Sequence, residues 1–126
     1  MNCNRTGIPN LFSNNEKDIL EGKIELAKNI AKSTNKEGVK AAQLGMAERP
    51  DRTEILENLD AKILIIAGKY DNAVKTENLL KIIPEKTNIK TYVLDCGHNG
   101  HWEKPTICAE IINTELLHNL PKHLVL

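Results

Sequence analysis

Asp71 and His98 are the two residues whose types and settings point to chemistry. Asp71 comes three residues after Gly68, which closes the apolar run Ala61-Lys62-Ile63-Leu64-Ile65-Ile66-Ala67. His98 lies in Asp95-Cys96-Gly97-His98-Asn99-Gly100-His101-Trp102-Glu103-Lys104-Pro105, just past a second apolar stretch. A carboxylate beside an imidazole accepts a hydrogen bond from one ring nitrogen and fixes the tautomer. The other nitrogen is then free to act as a general base. Such a pair makes two members of a catalytic triad. Each residue also has a plainer reading, Asp71-Asn72 as a turn or helix cap and His98 as a loop histidine bonded to backbone.

The elements that must position the pair are short. Ala61 to Gly68 is dense in β-branched residues and closed by glycine, the pattern of a strand buried on both faces in a parallel sheet. A helix is predicted from about Thr76 to Ile83, stopped by Pro84, and a second strand from about Lys90 to Leu94. Strand, helix and strand in this order form a βαβ unit, which puts Asp71 and His98 at the same carboxyl-terminal edge. Gly97 and Gly100 flank the histidine and would allow its loop conformations barred to other residues.

Leu-Ile-Ile-Ala-Gly-Lys-Tyr-Asp at 64–71, followed by Gly-His-Asn-Gly-His-Trp-Glu-Lys-Pro at 97–105, resembles the end of an α/β-hydrolase. The triad of that family runs nucleophile, acid, histidine along the chain, with the nucleophile on a Gly-x-Ser-x-Gly elbow. The resemblance implies that Asp71 is the acid and His98 the histidine, in a Gly-His-x-x-x-x-Glu-x-Pro setting. Gly45-Met46-Ala47-Glu48-Arg49-Pro50-Asp51-Arg52-Thr53 resembles the junction where cap helices return to the core in esterase-like and enol-lactonase-like members. The similarity extends from about residue 36 to residue 118. The only serines are Ser13 and Ser33, and neither sits in Gly-x-Ser-x-Gly, so the nucleophile half is absent.

Other chemistries around the same loop are weaker. His98-x-x-His101 with Cys96, Asp95 and Glu103 lacks a distant second ligand pair for structural zinc, and no metal is expected. Cys96 as a nucleophile has no helix amino terminus behind it to lower its pKa. His101, beside Trp102, reads as a packing or supporting residue, and Glu103 with Pro105 as a helix start. Arg49 and Arg52 are candidates for ion pairs between cap and core, or are simply solvated.

Ahead of the βαβ unit, residues 1–13 read as an irregular lead-in, docked through Phe12. A helix is expected from Asn14 or Asn15 to about Lys32, with Leu20, Ile24, Ala27 and Ala31 on one face. Thr34 and Glu37 form a capping-box pattern for a second helix, whose face Val39, Ala42 and Met46 suits close packing. Asp51 and Glu54 form another for a short helix. A last helix, from about Thr106 to Leu117, carries Ile107, Cys108, Ile111, Ile112 and Leu116, and Asn119 to Leu126 is a tail. The expected divisions are 1–58 as lead-in and cap-type helices, 59–118 as the carboxyl-terminal βαβα part of a hydrolase core, and 119–126 as tail. The fold class is α/β, a partial α/β-hydrolase fold with two parallel strands.

Seventeen basic and seventeen acidic residues balance, which points to neither nucleic acid nor an anionic membrane. No apolar run approaches the roughly 20 residues needed to span a bilayer. Three cysteines without framework spacing suit reduced thiols in a cytoplasm. The expected function is that of the carboxyl-terminal portion of a hydrolase acting on a small ester, lactone or similar bond, without a cofactor and inactive alone. The alternative is a non-catalytic fragment that completes or pairs with a partner chain. A sheet of two strands also leaves β edges open, through which the chain can self-associate.

Overall fold

Residues 7–117 are described by the computed structural model of the protein. The first six residues, and the expected tail from Asn119 to Leu126, lie outside the described residues. Mixed α/β architecture results, with one sheet of two parallel strands and six α-helices among those residues. No helix among them is long and apolar enough to cross a membrane.

Phe12 nucleates the amino-terminal packing. A 3-10 turn at Ile8–Leu11 delivers it, and Asn14–Glu16 form a second such turn before helix α1, Lys17–Ser33. Leu20 and Ile24 from α1 close over Phe12, with Ile8, Leu11, Ala27 and Trp102 around them. Phe12 and Leu20 are almost wholly buried, and each such burial contributes about 1.5–3 kcal/mol. The Phe12 and Trp102 rings meet at a tilt, 6.2 Å between centroids. This contact ties the start of the chain to the loop that bears His98.

Helix α2, Lys36–Ala47, begins one residue later than its capping-box pattern predicts. Asn35, not Thr34, is the N-cap, its side chain accepting from the Glu37 and Gly38 amides. Thr34 instead ends α1, its hydroxyl donating to the Ile30 carbonyl. An Asx acceptor one position closer to the helix outcompetes a threonine already engaged behind it. The expected close packing of Val39, Ala42 and Met46 is absent: every residue of α2 is exposed. Helix α3, Thr53–Asn58, has Arg52 at its N-cap with no side-chain cap, so the expected capping box of Asp51 and Glu54 is corrected: the Asp51 carboxylate, one residue further back, accepts from the Thr53 amide and hydroxyl instead. Among the described residues the ion pairs are made by lysines and His98, and neither Arg49 nor Arg52 forms one.

Strand β1, Ile63–Gly68, and strand β2, Ile89–Leu94, run parallel in the register Ile63↔Ile89 through Gly68↔Leu94. Helix α4, Thr76–Ile82, connects them and stops before Pro84. The short helix α5, Gly100–Glu103, is followed by α6, Pro105–Ile112, which continues as a π-helical turn through Leu117. The expectation of a strand buried on both faces is corrected here. Only Ala67 and Gly68 of β1 are buried, while Ile63 to Ile66 are half-buried. One face is covered through Glu115, which accepts from Lys62, Lys90 and the Tyr92 hydroxyl. Val93, on the other face by strand alternation, stays 46% exposed. Two strands have too little width for helices to cover both sides.

Candidate functional site at the carboxyl ends of the strands

The parallel ladder continues past the last strand residues. The Lys69 amide donates to the Leu94 carbonyl at 2.8 Å, and the Tyr70 amide to the Cys96 carbonyl at 2.9 Å. The two loops therefore leave the sheet side by side. A turn forms as the Asp71 amide and the Thr76 hydroxyl both donate to the Gly68 carbonyl. Close approach explains the glycine: a Cβ on Gly68 would lie 2.0 Å from the Gly97 carbonyl oxygen.

Asp71 divides its carboxylate between two tasks. Oδ1 accepts from the Ala73 and Val74 amides at 2.8 and 2.9 Å, an Asx turn that leads into α4. Oδ2 faces His98 Nδ1 at 2.8 Å. The bland role and the functional one are thus compatible, one oxygen for each. With Nδ1–H donating to the carboxylate, the neutral ring presents Nε2 as acceptor. The Asp71 side chain is only 10% exposed, whereas that of His98 is 42% exposed, so the ring stands at the surface. Burial pushes the Asp71 carboxyl up, but the Val74 amide, the His98 ring and the Ala73 amide together hold it below its ordinary value.

The histidine loop is held by its neighbours in the chain. The Gly97 amide donates to Glu103 Oε1 at 2.9 Å, and the Asn99 amide to the Leu11 carbonyl at 3.1 Å. Glu103 Oε2 accepts from the Ser13 amide at 3.1 Å. No glycine among the described residues has a positive φ, so the expected need for unusual backbone conformations around His98 is corrected. Gly97 is required for space, since a Cβ there would meet Ser13, Phe12 and Glu103 within 3 Å.

The remaining candidates fall outside the pair. Ser13 is buried, its hydroxyl accepting from the Asn15 amide, and the Ser33 hydroxyl donates to the Ile30 carbonyl. Neither hydroxyl is bonded to His98. Cys96 is fully buried, and burial, followed by the charge of Glu103, pushes its thiol up to about 11. His101 is exposed, with its ring edge-on to Trp102. Among the described residues no group of three His, Cys, Asp or Glu side chains is placed to hold a metal ion.

Two hollows border the site. A polar cleft of about 400 Å³ lies beside Asp71, between Asn14–Asn15 and the turn from Lys69 to Asn72. An apolar groove of about 340 Å³ runs between α1 and the histidine loop, walled by Ile30, Ala31 and Trp102. Glu103 is the residue that sequence reasoning undervalued, being read only as part of a helix start. Its place in the Gly-His-x-x-x-x-Glu-x-Pro spacing was the available signal. Searches with the chain against models of protein families and against curated proteins give no match.

Proposed function

We propose that this chain is the carboxyl-terminal portion of an α/β-hydrolase-like enzyme acting on a small ester, lactone or similar bond. Asp71 serves as the acid and His98 as the general base. The observation that carries the reading is the 2.8 Å contact between Asp71 Oδ2 and His98 Nδ1 at the aligned carboxyl ends of two parallel strands. In the reaction a serine hydroxyl would lose its proton to His98 Nε2 as its oxygen attacks the carbonyl carbon. Asp71 would orient the ring and stabilise the imidazolium, and His98 would then return the proton to the leaving group. The nucleophile and the oxyanion donors would come from further strands docking beside β1. Without them the pair has nothing to activate, and the chain alone is inactive. A cytoplasmic setting fits Cys96 and Cys108, which among the described residues are free and buried thiols.

A second reading, a non-catalytic module that completes a partner chain, is favoured by the incompletely covered sheet and the fully exposed helix α2. The coding sequence upstream separates the two. A frame encoding Gly-x-Ser-x-Gly, whose product confers aryl-ester turnover on this chain, supports the hydrolase. That turnover must vanish in His98→Ala and fall in Asp71→Asn. Absence of such a frame, or turnover indifferent to His98→Ala, rejects it.

A further inference from the structure

We propose that Glu103 is a positioning residue that sets the His98 ring against Asp71 by clamping the histidine loop to the amino-terminal segment Leu11–Ser13. The inference rests on the reading of Asp71 and His98 as acid and base.

His98 itself is exposed, so the placement of its ring depends on the backbone that carries it as well as on the bond to Asp71. Both residues that flank it are pinned. On one side the Gly97 amide donates to Glu103 Oε1, and on the other the Asn99 amide donates to the Leu11 carbonyl. The second Glu103 oxygen takes the Ser13 amide, two residues beyond Leu11. One buried carboxylate therefore bridges the histidine loop and the segment against which that loop lies. Residue-to-residue packing makes the clamp stiff, because a Cβ on Gly97 would lie 2.6 Å from the Ser13 nitrogen and 2.9 Å from Glu103 Oε1. Next door, Lys104 binds both oxygens of Glu16 at 2.7 and 2.8 Å, a third tie between the same two segments.

A carboxylate is the group this bridge needs. Two N–H donors converge on it, and both of its oxygens accept. Glutamine has one acceptor oxygen, so its amide nitrogen must face one of the two N–H groups, and one tie is lost. A lost tie frees the loop at the residue next to His98, and displacement of a catalytic group by about 1 Å costs on the order of 100-fold in rate. Glu103 is hydrogen-bonded to the Gly97 and Ser13 amides and not to Asp71 or the ring, so its effect is on placement.

The test uses the full chain with ¹⁵N-labelled histidine and reads the His98 Nδ1–H resonance and its solvent exchange. No turnover is needed, so the outcome is separate from that of the hydrolase reading. In Glu103→Gln the Nδ1–H signal should broaden or vanish, with both ring nitrogens moving toward the averaged shifts of a free imidazole. Glu115→Gln, which also alters a buried carboxylate, should leave the His98 signals as they are. Where Glu103→Gln does not fold, hydrogen exchange in the unaltered chain decides the matter. In the unaltered chain the Gly97 and Ser13 amides should show matching protection from hydrogen exchange, each relative to its unstructured rate, since one side chain holds both. The proposal is overturned if folded Glu103→Gln keeps the parental His98 signals, or if Glu115→Gln alters them equally. It is also overturned if the Gly97 amide exchanges freely while that of Ser13 is protected. An assembled enzyme whose kcat ignores Glu103→Gln would reject the clamp and leave the hydrolase reading standing.

Discussion

Gly97 lies directly against Ser13: a methyl group added to it would sit 2.6 Å from the Ser13 nitrogen and 2.7 Å from the Phe12 carbonyl carbon. Both neighbours are backbone atoms and cannot swing aside like the end of a flexible side chain. Gly97→Ala should therefore destabilise the chain by about 1–3 kcal/mol, the usual cost of overpacking. Chemical denaturation of parent and variant measures it. An unshifted midpoint would contradict the close approach.

Asp71→Asn separates the two tasks of that side chain. The asparagine oxygen still accepts from the Ala73 and Val74 amides, so the turn into α4 should persist. The charge that holds the His98 Nδ1–H is gone, and the ring should tumble between tautomers. Circular dichroism close to that of the parent, with altered His98 nitrogen shifts, is the expected result. Loss of the fold would show that the carboxylate is structural first.

Acid should weaken the protein through two carboxylates. Contacts with Lys90 and Tyr92 outweigh burial and hold Glu115 down to about 2 from an ordinary 4.5, and Asp71 is also held below its ordinary value. Depressed folded-state values mean that the unfolded chain binds more protons in acid. Their stabilisation is fully present above the ordinary carboxylate range and is lost as pH falls through the folded-state values. Urea midpoints should therefore drop as pH falls from about 5 to about 2, and Glu115→Gln should flatten part of that slope. A parent and variant with parallel slopes would contradict the assignment to Glu115.

Cys96 should be inert. A thiol pushed up to about 11 and wholly removed from solvent is neither ionised nor reachable near neutral pH. Alkylation by iodoacetamide at pH about 8 should be at least about 100-fold slower in the native chain than in urea. Peptide mass analysis resolves Cys96 from the other cysteines. Rapid native alkylation would revive it as a nucleophile.

Self-association is the outcome expected of the open sheet. Each strand has one edge unpaired among the described residues, Val93 is exposed, and acidic and basic residues balance. Sedimentation at micromolar concentration should show dimers or larger species that dissociate on dilution. A monomer with a single cooperative melt would mean that the edges are covered.

Strands β1 and β2, helix α4 and the common edge that holds Asp71 and His98 are all legible in the sequence. Each depends on residues only a few positions apart: β-branched runs, a glycine or proline stop, and a crossover long enough to make the strands parallel. The docking of Phe12 is also legible, because a large aromatic among turn formers has few places to go except inward. Helix α2 marks the limit of such local signals. Its apolar spacing is real, yet no residue of it is buried, since periodicity reports which side could pack and not whether anything lies opposite. Only the tertiary structure decided what Glu103 does. Its partners are the amides of Gly97 and of Ser13, the latter 90 positions away, and backbone N–H groups are the same in every residue but proline. No pattern of side-chain types can encode that meeting, because it is made by the fold that brings two backbones within the span of one carboxylate.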